Sequence, residues 1–316
     1  MPEIKRDVAR DLRLMSCQAG GRSYYLDASA VRSVHRKEEW KLNWRSEAPL
    51  GWIRDRGGEI PILDLARALG VDHTTVAENV VVVETETGPK AWGLGSVGRV
   101  VALPGDRILP VPESCWTESS PPWIGMITGE ASQALCLSPQ HLWLPGARPL
   151  LPAPVAQSAV TGQAHSARQA KATGRAILFS AYDGRGRLPE VRFCLGFAQV
   201  AEFISMPSLV PVPAGRAWLL GVIVWRGRSV PVINLGWGVT GKPAAIEAED
   251  YLIVRAAGDG TLAAVTVFGK PDAVASPFEC EREPEPQVSS PEWFRGAFKH
   301  KQQLFLTPDF AHILRS

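Results

Sequence analysis

The sequence predicts an all-β protein built from two similar domains, and three observations carry this prediction. The chain has 316 residues, about twice the usual size of a single domain. Glycine (29) and proline (26) together supply 55 residues, a composition that favours short strands and many turns over long helices. The third observation is an internal repeat, which places the same strand pattern in both halves of the chain.

The repeat consists of five blocks that occur in the same order in each half. Residues 51–65 (GWIRDRGGEIPILDL) match residues 221–235 (GVIVWRGRSVPVINL) at an offset of 170. The other matching pairs are residues 79–83 with 250–254, 91–99 with 262–270, 122–123 with 292–293, and 135–139 with 304–308. Five blocks that keep their spacing indicate a duplication, so we expect two domains of similar size.

The segment between the repeats sets the domain boundaries. Residues 146–174 include three prolines and no acidic or aromatic residue, so they cannot bury enough apolar surface to offset the entropy of ordering. We therefore expect a flexible linker there, with the first domain at residues 12–145 and the second at residues 175–316. Residues 1–11 are expected to form an N-terminal tail.

The best-matched block predicts a β-hairpin in each repeat. Residues 52–53 and 59–63 have strand patterns around a turn at residues 56–58, and glycine suits such a turn because it tolerates positive φ. In the second repeat, residues 219–225 and 229–233 flank the turn at 226–228 in the same way. Proline cannot donate to a strand ladder, so an edge position or a bulge is expected at two residues, Pro61 and Pro231.

Other segments predict the rest of each domain. Residues 63–69 carry apolar side chains at helical spacing and are followed by Gly70, which predicts one short helix. The β-branched runs at residues 79–84 and 251–255 predict core strands. Short strands with many turn signals favour small barrels or a sandwich.

Composition argues against several classes of function. The chain has 34 Lys and Arg against 32 Asp and Glu, without the basic excess typical of nucleic-acid binding. Its start is charged and has no signal-like apolar core, and the longest apolar run, residues 217–225, is too short to span or insert into a membrane. The five scattered cysteines indicate neither disulfides nor a zinc site. We expect reduced cysteines and a cytoplasmic protein.

We also expect no enzyme activity, no cofactor and no metal. The six histidines fall in unrelated contexts, and none has a nucleophile motif or metal-ligand spacing. The chain has no GxxxxGK[ST] phosphate-binding loop. Residues 93–98 (GLGSVG) begin within a strand pattern rather than ahead of a helix, so they do not form a dinucleotide fingerprint.

The order of motifs resembles the CheW-like domain, the scaffold module of bacterial chemosensory arrays. Each repeat has the Gly-apolar-apolar-x-x-Arg-Gly segment, the Pro-apolar-apolar-Asp/Asn-Leu segment, a hydrophobic strand and a closing Leu-x-Pro. An opening motif precedes them at residues 31–34 (VRSV) and 200–203 (VAEF). The resemblance implies two CheW-like domains, each with two small five-stranded SH3-like β-barrels and one or two short helices.

The resemblance also implies a function. Such domains are non-catalytic adaptors in chemotaxis signal transduction, and they dock onto the regulatory domain of a CheA-type histidine kinase and onto the cytoplasmic tip of chemoreceptors. Two alternatives remain open, and departures of the motifs from the family pattern motivate the first of them. One is a CheW-fold scaffold for a non-chemotaxis assembly, such as pilus motility or another protein complex. The other is a small-molecule-binding sensor.

The same resemblance nominates partner-binding residues. The Arg-Gly turn faces partners in the family, and the opening motif lies near the kinase and receptor contacts. The candidates from the resemblance are Arg56, Gly57, Arg226 and Gly227 at the turns and Val31, Val34, Val200 and Glu202 in the opening motifs. Trp225 is a further candidate because it lies beside the second turn among polar or charged residues. In the first repeat Ser33 takes the position of the family's acidic residue, with His35 nearby.

The eleven tryptophans divide into two predicted groups. Those in strand-like contexts are expected in the core: Trp52, Trp92, Trp123, Trp218 and Trp293. Three others lie among polar or charged residues, where an exposed tryptophan often anchors an interface: Trp40, Trp44 and Trp225.

Overall fold

The computed structural model describes most of both repeats. The described residues are 11–42, 49–55, 58–71, 77–116, 122–128, 133–142, 174–181, 191–205, 208–213, 215–242, 250–255, 260–276, 281–283, 288–300 and 303–316. The expected tail (1–11) and linker (146–174) fall almost wholly outside these ranges, so their boundaries stay predictions.

The described part of the first repeat holds twelve strands and one short α-helix. The strands are β1 (Leu12–Ala19), β2 (Arg22–Asp27), β3 (Val31–Arg36), β4 (Lys41–Leu42), β5 (Gly51–Asp55), β6 (Gly58–Asp64), β7 (Asn79–Val83), β8 (Lys90–Leu94), β9 (Ser96–Leu103), β10 (Ile108–Leu109), β11 (Trp123–Thr128) and β12 (Gln133–Leu137). The helix is α1 (Leu65–Ala68).

These strands form two six-stranded sheets, with the orders β10-β11-β12-β2-β1-β9 and β3-β7-β8-β6-β5-β4. Each sheet holds five strands of at least five residues and one strand of two residues. Most neighbours are antiparallel, whereas β12 pairs with β2 and β6 pairs with β8 in parallel. The sheets are curled as in small SH3-like barrels, which confirms the predicted all-β fold class.

The described part of the second repeat follows the same plan. Its strands are β13 (Gly174–Ser180), β14 (Val191–Gly196), β15 (Val200–Ser205), β16 (Leu219–Trp225), β17 (Arg228–Ile233), β18 (Asp250–Arg255), β19 (Leu262–Ser276), β20 (Glu281–Glu283), β21 (Phe294–His300) and β22 (Gln303–Pro308). Its helices are α2 (Leu235–Thr240) and α3 (Phe310–Ile313). The strand order is β15-β18-β19-β13-β14-β22-β21-β20, and β17 pairs with both β16 and β19. The long β19 takes the places of β8 and β9.

The chain divides into two compact units that do not coincide with the repeats. The first unit comprises Met1–Pro145 together with Ser205–Asn234 and Leu262–Ala264. The second unit comprises Gly146–Ile204, Leu235–Thr261 and Val265–Ser316. The hairpin β16–β17 therefore belongs to the second repeat by sequence and to the first unit by packing.

Each unit has its own apolar core. The largest core of the first unit joins both sheets of the first repeat and includes the fully buried side chains of Leu26, Leu65 and Trp92. In the second unit the Phe193 ring lies 5.6 Å from the Phe179 ring and 6.2 Å from the Phe294 ring, measured between centroids. Side-chain burial of this kind supplies the main favourable term in folding.

The elements predicted around the hairpins agree closely with the structure. The strand β5 and its partner β6 lie at the predicted hairpin, and α1 begins after Asp64, whose carboxylate accepts a hydrogen bond from the Arg67 amide. Gly70 then takes a φ of 65°, which ends the helix. Pro61 lies before Ile62, where the parallel pairing with β8 begins, so β6 is locally an edge there.

Candidate protein-interaction surface

The tip of the β16–β17 hairpin is a two-residue turn with an unusual backbone. Trp225 pairs with Arg228, and the residues between them, Arg226 and Gly227, have φ values of 48° and 72°. Two positive φ angles define a type I′ turn, whose twist matches that of the flanking strands. Among the described non-glycine residues, only Arg226 has a positive φ. Arg226 therefore adopts a left-handed backbone conformation that glycine or asparagine adopts at a lower cost in free energy.

The side chain of Arg226 lies over its neighbour's ring. Its guanidinium carbon is 4.8 Å from the centroid of the Trp225 ring, within cation–π distance, and Arg226 is exposed. The stacking orients a planar cation with five N–H donors at the end of the hairpin. Such a group recognises carboxylates bidentately, so the tip can serve as an anchor for a protein partner.

The corresponding turn of the first repeat lies partly outside the described residues. Arg56 and Gly57 are not described, whereas Asp55 pairs with Gly58 directly beside them. The Asp55 carboxylate is nearly buried and forms an ion pair with Arg32 of β3, with Nε and Oδ2 3.0 Å apart. A second ion pair, 3.4 Å long, joins Arg32 to Glu84. These contacts tie β3 to the end of the β5–β6 hairpin.

The strand β3 carries both nominated valines, which lie in different environments. Val31 is half-buried and packs against the core of the first unit, whereas Val34 is 44% exposed. His35 bonds through one ring nitrogen to Ser33 (2.8 Å) and through the other to Glu39 (3.0 Å). The hydrogen bond from His35 lowers the pKa of the Glu39 carboxyl, and the His35 ring links this carboxylate to Ser33. Sequence matching missed Glu39 because it lies six residues further along the chain.

The equivalent strand β15 carries the other two nominated residues of the opening motif. Val200 and Glu202 are half-buried, and they alternate with exposed residues at 201 and 203. The most exposed apolar side chains near them are Phe203 (46%) and Phe197 (53%). The sequence analysis did not nominate either phenylalanine. The signal for Phe203 was the alternation of side chains along a strand, because a strand that half-buries Val200 and Glu202 places Phe203 on its outer side.

The tryptophans follow the prediction in part. Trp92, Trp123, Trp218 and Trp293 are buried as expected, and Trp225 is half-buried. Two predictions are wrong: Trp40 is only 8% exposed and packs with Ile53 and Ile60, whereas Trp52 is 39% exposed. Side chains along β5 alternate between its two faces. Because Ile53 faces the core, its neighbour Trp52 lies on the outer face. Trp44 lies outside the described residues.

A comparison with protein families decides the identity of this fold. A model described as the CheW-like domain matches the chain twice, at residues 13–142 and 186–316. The two matches cover well over half of the sequence. The chain belongs to the CheW-like domain family. The double match confirms the tandem arrangement of two CheW-like domains that the internal repeat predicts.

Other comparisons are less extensive. No curated protein sequence matches the chain significantly. Among solved structures, the scaffolding protein TtCheW from Thermoanaerobacter tengcongensis is similar over 42% of this chain and 92% of its own length. That likeness has 18% sequence identity and a TM-score of 0.36.

Membership of the CheW-like family makes this chain an adaptor of chemotaxis type from a non-catalytic scaffold family. The cysteines among the described residues, Cys17, Cys115, Cys136 and Cys194, are all free and buried. Burial raises the pKa of the thiols of Cys17, Cys115 and Cys136 to about 12, so they stay protonated and are poor nucleophiles.

No group of three metal-ligating side chains occurs among the described residues. None of the helices that the structure describes is long and apolar enough to cross a membrane. An open groove of about 270 Å³ lies over β1, β2 and β9, lined in part by Ser16, Gln18 and Ser96. Its volume is below the ~300–1,000 Å³ usual for small-molecule sites.

Proposed function

We propose that this protein is a cytoplasmic, non-catalytic adaptor that couples a CheA-type histidine kinase to chemoreceptors through its tandem CheW-like domains. The observation that carries the proposal is the exposed tip of the second domain's hairpin, where Arg226 is stacked on Trp225 in a type I′ turn. The position matches the Arg-Gly turn that the family resemblance nominates as partner-facing. The partners proposed are the regulatory domain of the kinase and the cytoplasmic tip of the receptors.

The chemistry of the tip suits a protein partner. A guanidinium that is preoriented by an aromatic ring loses little side-chain entropy on binding a carboxylate. Arginine and tryptophan are also the residue types most enriched at the centres of interfaces. In the first domain the matching turn residues are Arg56 and Gly57, which we propose for the same role.

The opening strands offer a second contact surface in each domain. Both β3 and β15 lie at the end of their strand orders, so each has a neighbour on only one side among the described strands. Val34 and Phe203, which occupy equivalent positions, leave 44% and 46% of their surface exposed. Because edge strands with exposed apolar side chains readily accept a partner, we propose that Val31, Val34, Val200 and Glu202 lie at or beside such contacts.

Duplication adds avidity to these contacts. Two linked domains convert the second binding event into an intramolecular one, which raises overall affinity without any new contact. The two domains differ at equivalent positions, with Ser33 against Glu202 and Asp55 against Trp225. We therefore propose that the two domains prefer different partners.

The proposal is tested by a pull-down from the cytoplasm of the native host, with the tagged full chain as bait and mass spectrometry to identify the prey. Recovery of a CheA-type kinase or a chemoreceptor is the expected result. The Arg56→Glu/Arg226→Glu double variant serves as the control and is expected to lose the prey while its melting curve stays unchanged. Recovery of an unrelated assembly in place of both would show a CheW-fold scaffold outside chemotaxis and would overturn the proposal.

A further inference from the structure

The β16–β17 hairpin has apolar side chains on both faces. Ile223 and Val230, which pair across the hairpin, are buried on one face. Val222 lies on the opposite face and is completely buried, and Val224 on that face is half-buried. The run GVIVW is therefore a strand covered on both sides, and its sequence shows the continuous apolar character typical of such strands.

The matching hairpin of the first repeat is different. At the offset of 170, Val222 corresponds to Trp52, Val224 to Arg54 and Ser229 to Glu59. Trp52 is 39% exposed, and the side chains of Arg54 and Glu59 are 84% and 54% exposed. Because the two hairpins share fold and register, the difference on their outer faces reflects what each face contacts.

The first unit shows what covers the second hairpin. Val222 and the nearby Val210 belong to the same apolar core as Val111 and Cys115 of the first repeat, and Val224 packs against that core. The core is continuous across segments that lie about a hundred residues apart in sequence. Burial of aliphatic side chains stabilises such a contact by roughly 25 cal/mol per Å² of apolar surface.

Polar contacts fix the register of this packing. The Arg216 amide donates to the Cys115 carbonyl oxygen over 3.2 Å, and the Ser229 hydroxyl donates to the Pro110 carbonyl oxygen. Gly215 lies so close that a Cβ there would be 3.2 Å from the Cys115 oxygen. Directional bonds and a close glycine contact indicate a specific docking geometry rather than loose apolar association.

We propose that the segment of the first repeat around Pro110, Val111 and Cys115 is a docking site for the outer face of the second repeat's hairpin. The hairpin and the first repeat then form one packed unit, in agreement with the grouping of residues 205–234 with residues 1–145. The outer face of the second repeat's hairpin is buried in this internal contact. The contact holds the Arg226 tip in a defined position. The outer face of the first hairpin, with Trp52 and Arg54, stays open. The inference goes beyond the proposed function and does not depend on any partner.

Cleavage of the full chain tests the docking. A specific protease site is inserted within residues 146–173, the folded protein is cut, and size-exclusion chromatography with light scattering measures the mass of the products. We expect the two fragments to elute together at the mass of the intact chain. Separation of the fragments at micromolar concentration immediately after cleavage would overturn the proposal.

Matched substitutions sharpen the test. Val224→Asp places a charge on the docked face, whereas Arg54→Asp places the same residue at the equivalent open position. We expect the cleaved fragments of Val224→Asp to associate at least about tenfold more weakly than wild type, and those of Arg54→Asp to be unaffected. Equal behaviour of the two variants would contradict an internal docking site.

A second variant covers the case in which Val224→Asp fails to fold. Ser229→Arg puts a bulky charge opposite Pro110 at a half-buried position, with Glu59→Arg as its counterpart in the first repeat. Hydrogen exchange of the uncut protein then reports on residues 108–116. Loss of protection there in Ser229→Arg but not in Glu59→Arg is the expected result, and unchanged protection in both would refute the contact.

Discussion

The backbone of Arg226 has a conformation that most side chains avoid. A left-handed conformation costs a non-glycine residue roughly 1–2 kcal/mol, yet the hairpin keeps arginine at the first turn position (φ 48°) and glycine at the second (φ 72°). Strain of this kind is retained where the side chain has a use, and here the side chain is stacked on Trp225 at an exposed tip. The simplest interpretation is that Arg226 serves recognition rather than folding.

This interpretation predicts the effect of Arg226→Gly on stability. Glycine relieves the left-handed strain but increases the entropy of the unfolded chain, so the free energy of unfolding should change by less than about 1 kcal/mol. Gly227→Ala is the matched control, since alanine at a φ of 72° should lose about 1–2 kcal/mol. Urea denaturation of both variants measures the difference. A loss above about 2 kcal/mol in Arg226→Gly would show that the arginine is structural.

Hairpins and edge strands are the elements that position the candidate site. The sequence could predict both hairpins, because Arg-Gly turns between strand patterns encode a tight connection, and it could predict α1 from its apolar spacing. It could not predict that Trp40 is buried or that Trp52 is exposed, because each position depends on which face of a strand meets the core. The pairing of Arg32 with Asp55 was likewise not foreseeable, since it joins two strands through tertiary structure.

The Arg32–Asp55 pair leads to a prediction about the first hairpin. Arg32→Met leaves the Asp55 carboxylate, whose side chain is 9% exposed, without its cation. The variant should lose about 1–3 kcal/mol of unfolding free energy, the usual cost of an unsatisfied buried polar group. Arg54→Met is the control, because Arg54 is 84% exposed and lies 3.9 Å from Glu59, so its loss should cost under about 0.5 kcal/mol. If chemical denaturation gave equal losses of unfolding free energy for Arg32→Met and Arg54→Met, the Arg32 ion pair would contribute no more to stability than an exposed arginine.

At the scale of the whole molecule, the duplication gives the chain two domains of one fold. The proposed avidity for partners depends on this duplication. Five matched blocks could predict two domains of one family, and the family match confirms them. The blocks could not predict that residues 205–234, which include the β16–β17 hairpin, group with the first repeat, because a repeat pattern says nothing about packing between copies. The run GVIVW does indicate that this strand is covered on both faces, because its residues are apolar on both sides of the strand. It does not indicate which part of the chain covers it.

We propose that the hairpin tip of the second repeat binds a chemosensory partner. Its most direct test is the affinity of the full chain for the purified regulatory domain of the host's CheA-type kinase, measured by isothermal titration calorimetry for wild type and Arg226→Gly. We expect saturable binding that weakens by about tenfold or more in Arg226→Gly, because a charge-assisted contact is worth about 1.5–3 kcal/mol. Absence of binding by the wild type, or equal affinity of the two proteins, would contradict this proposal.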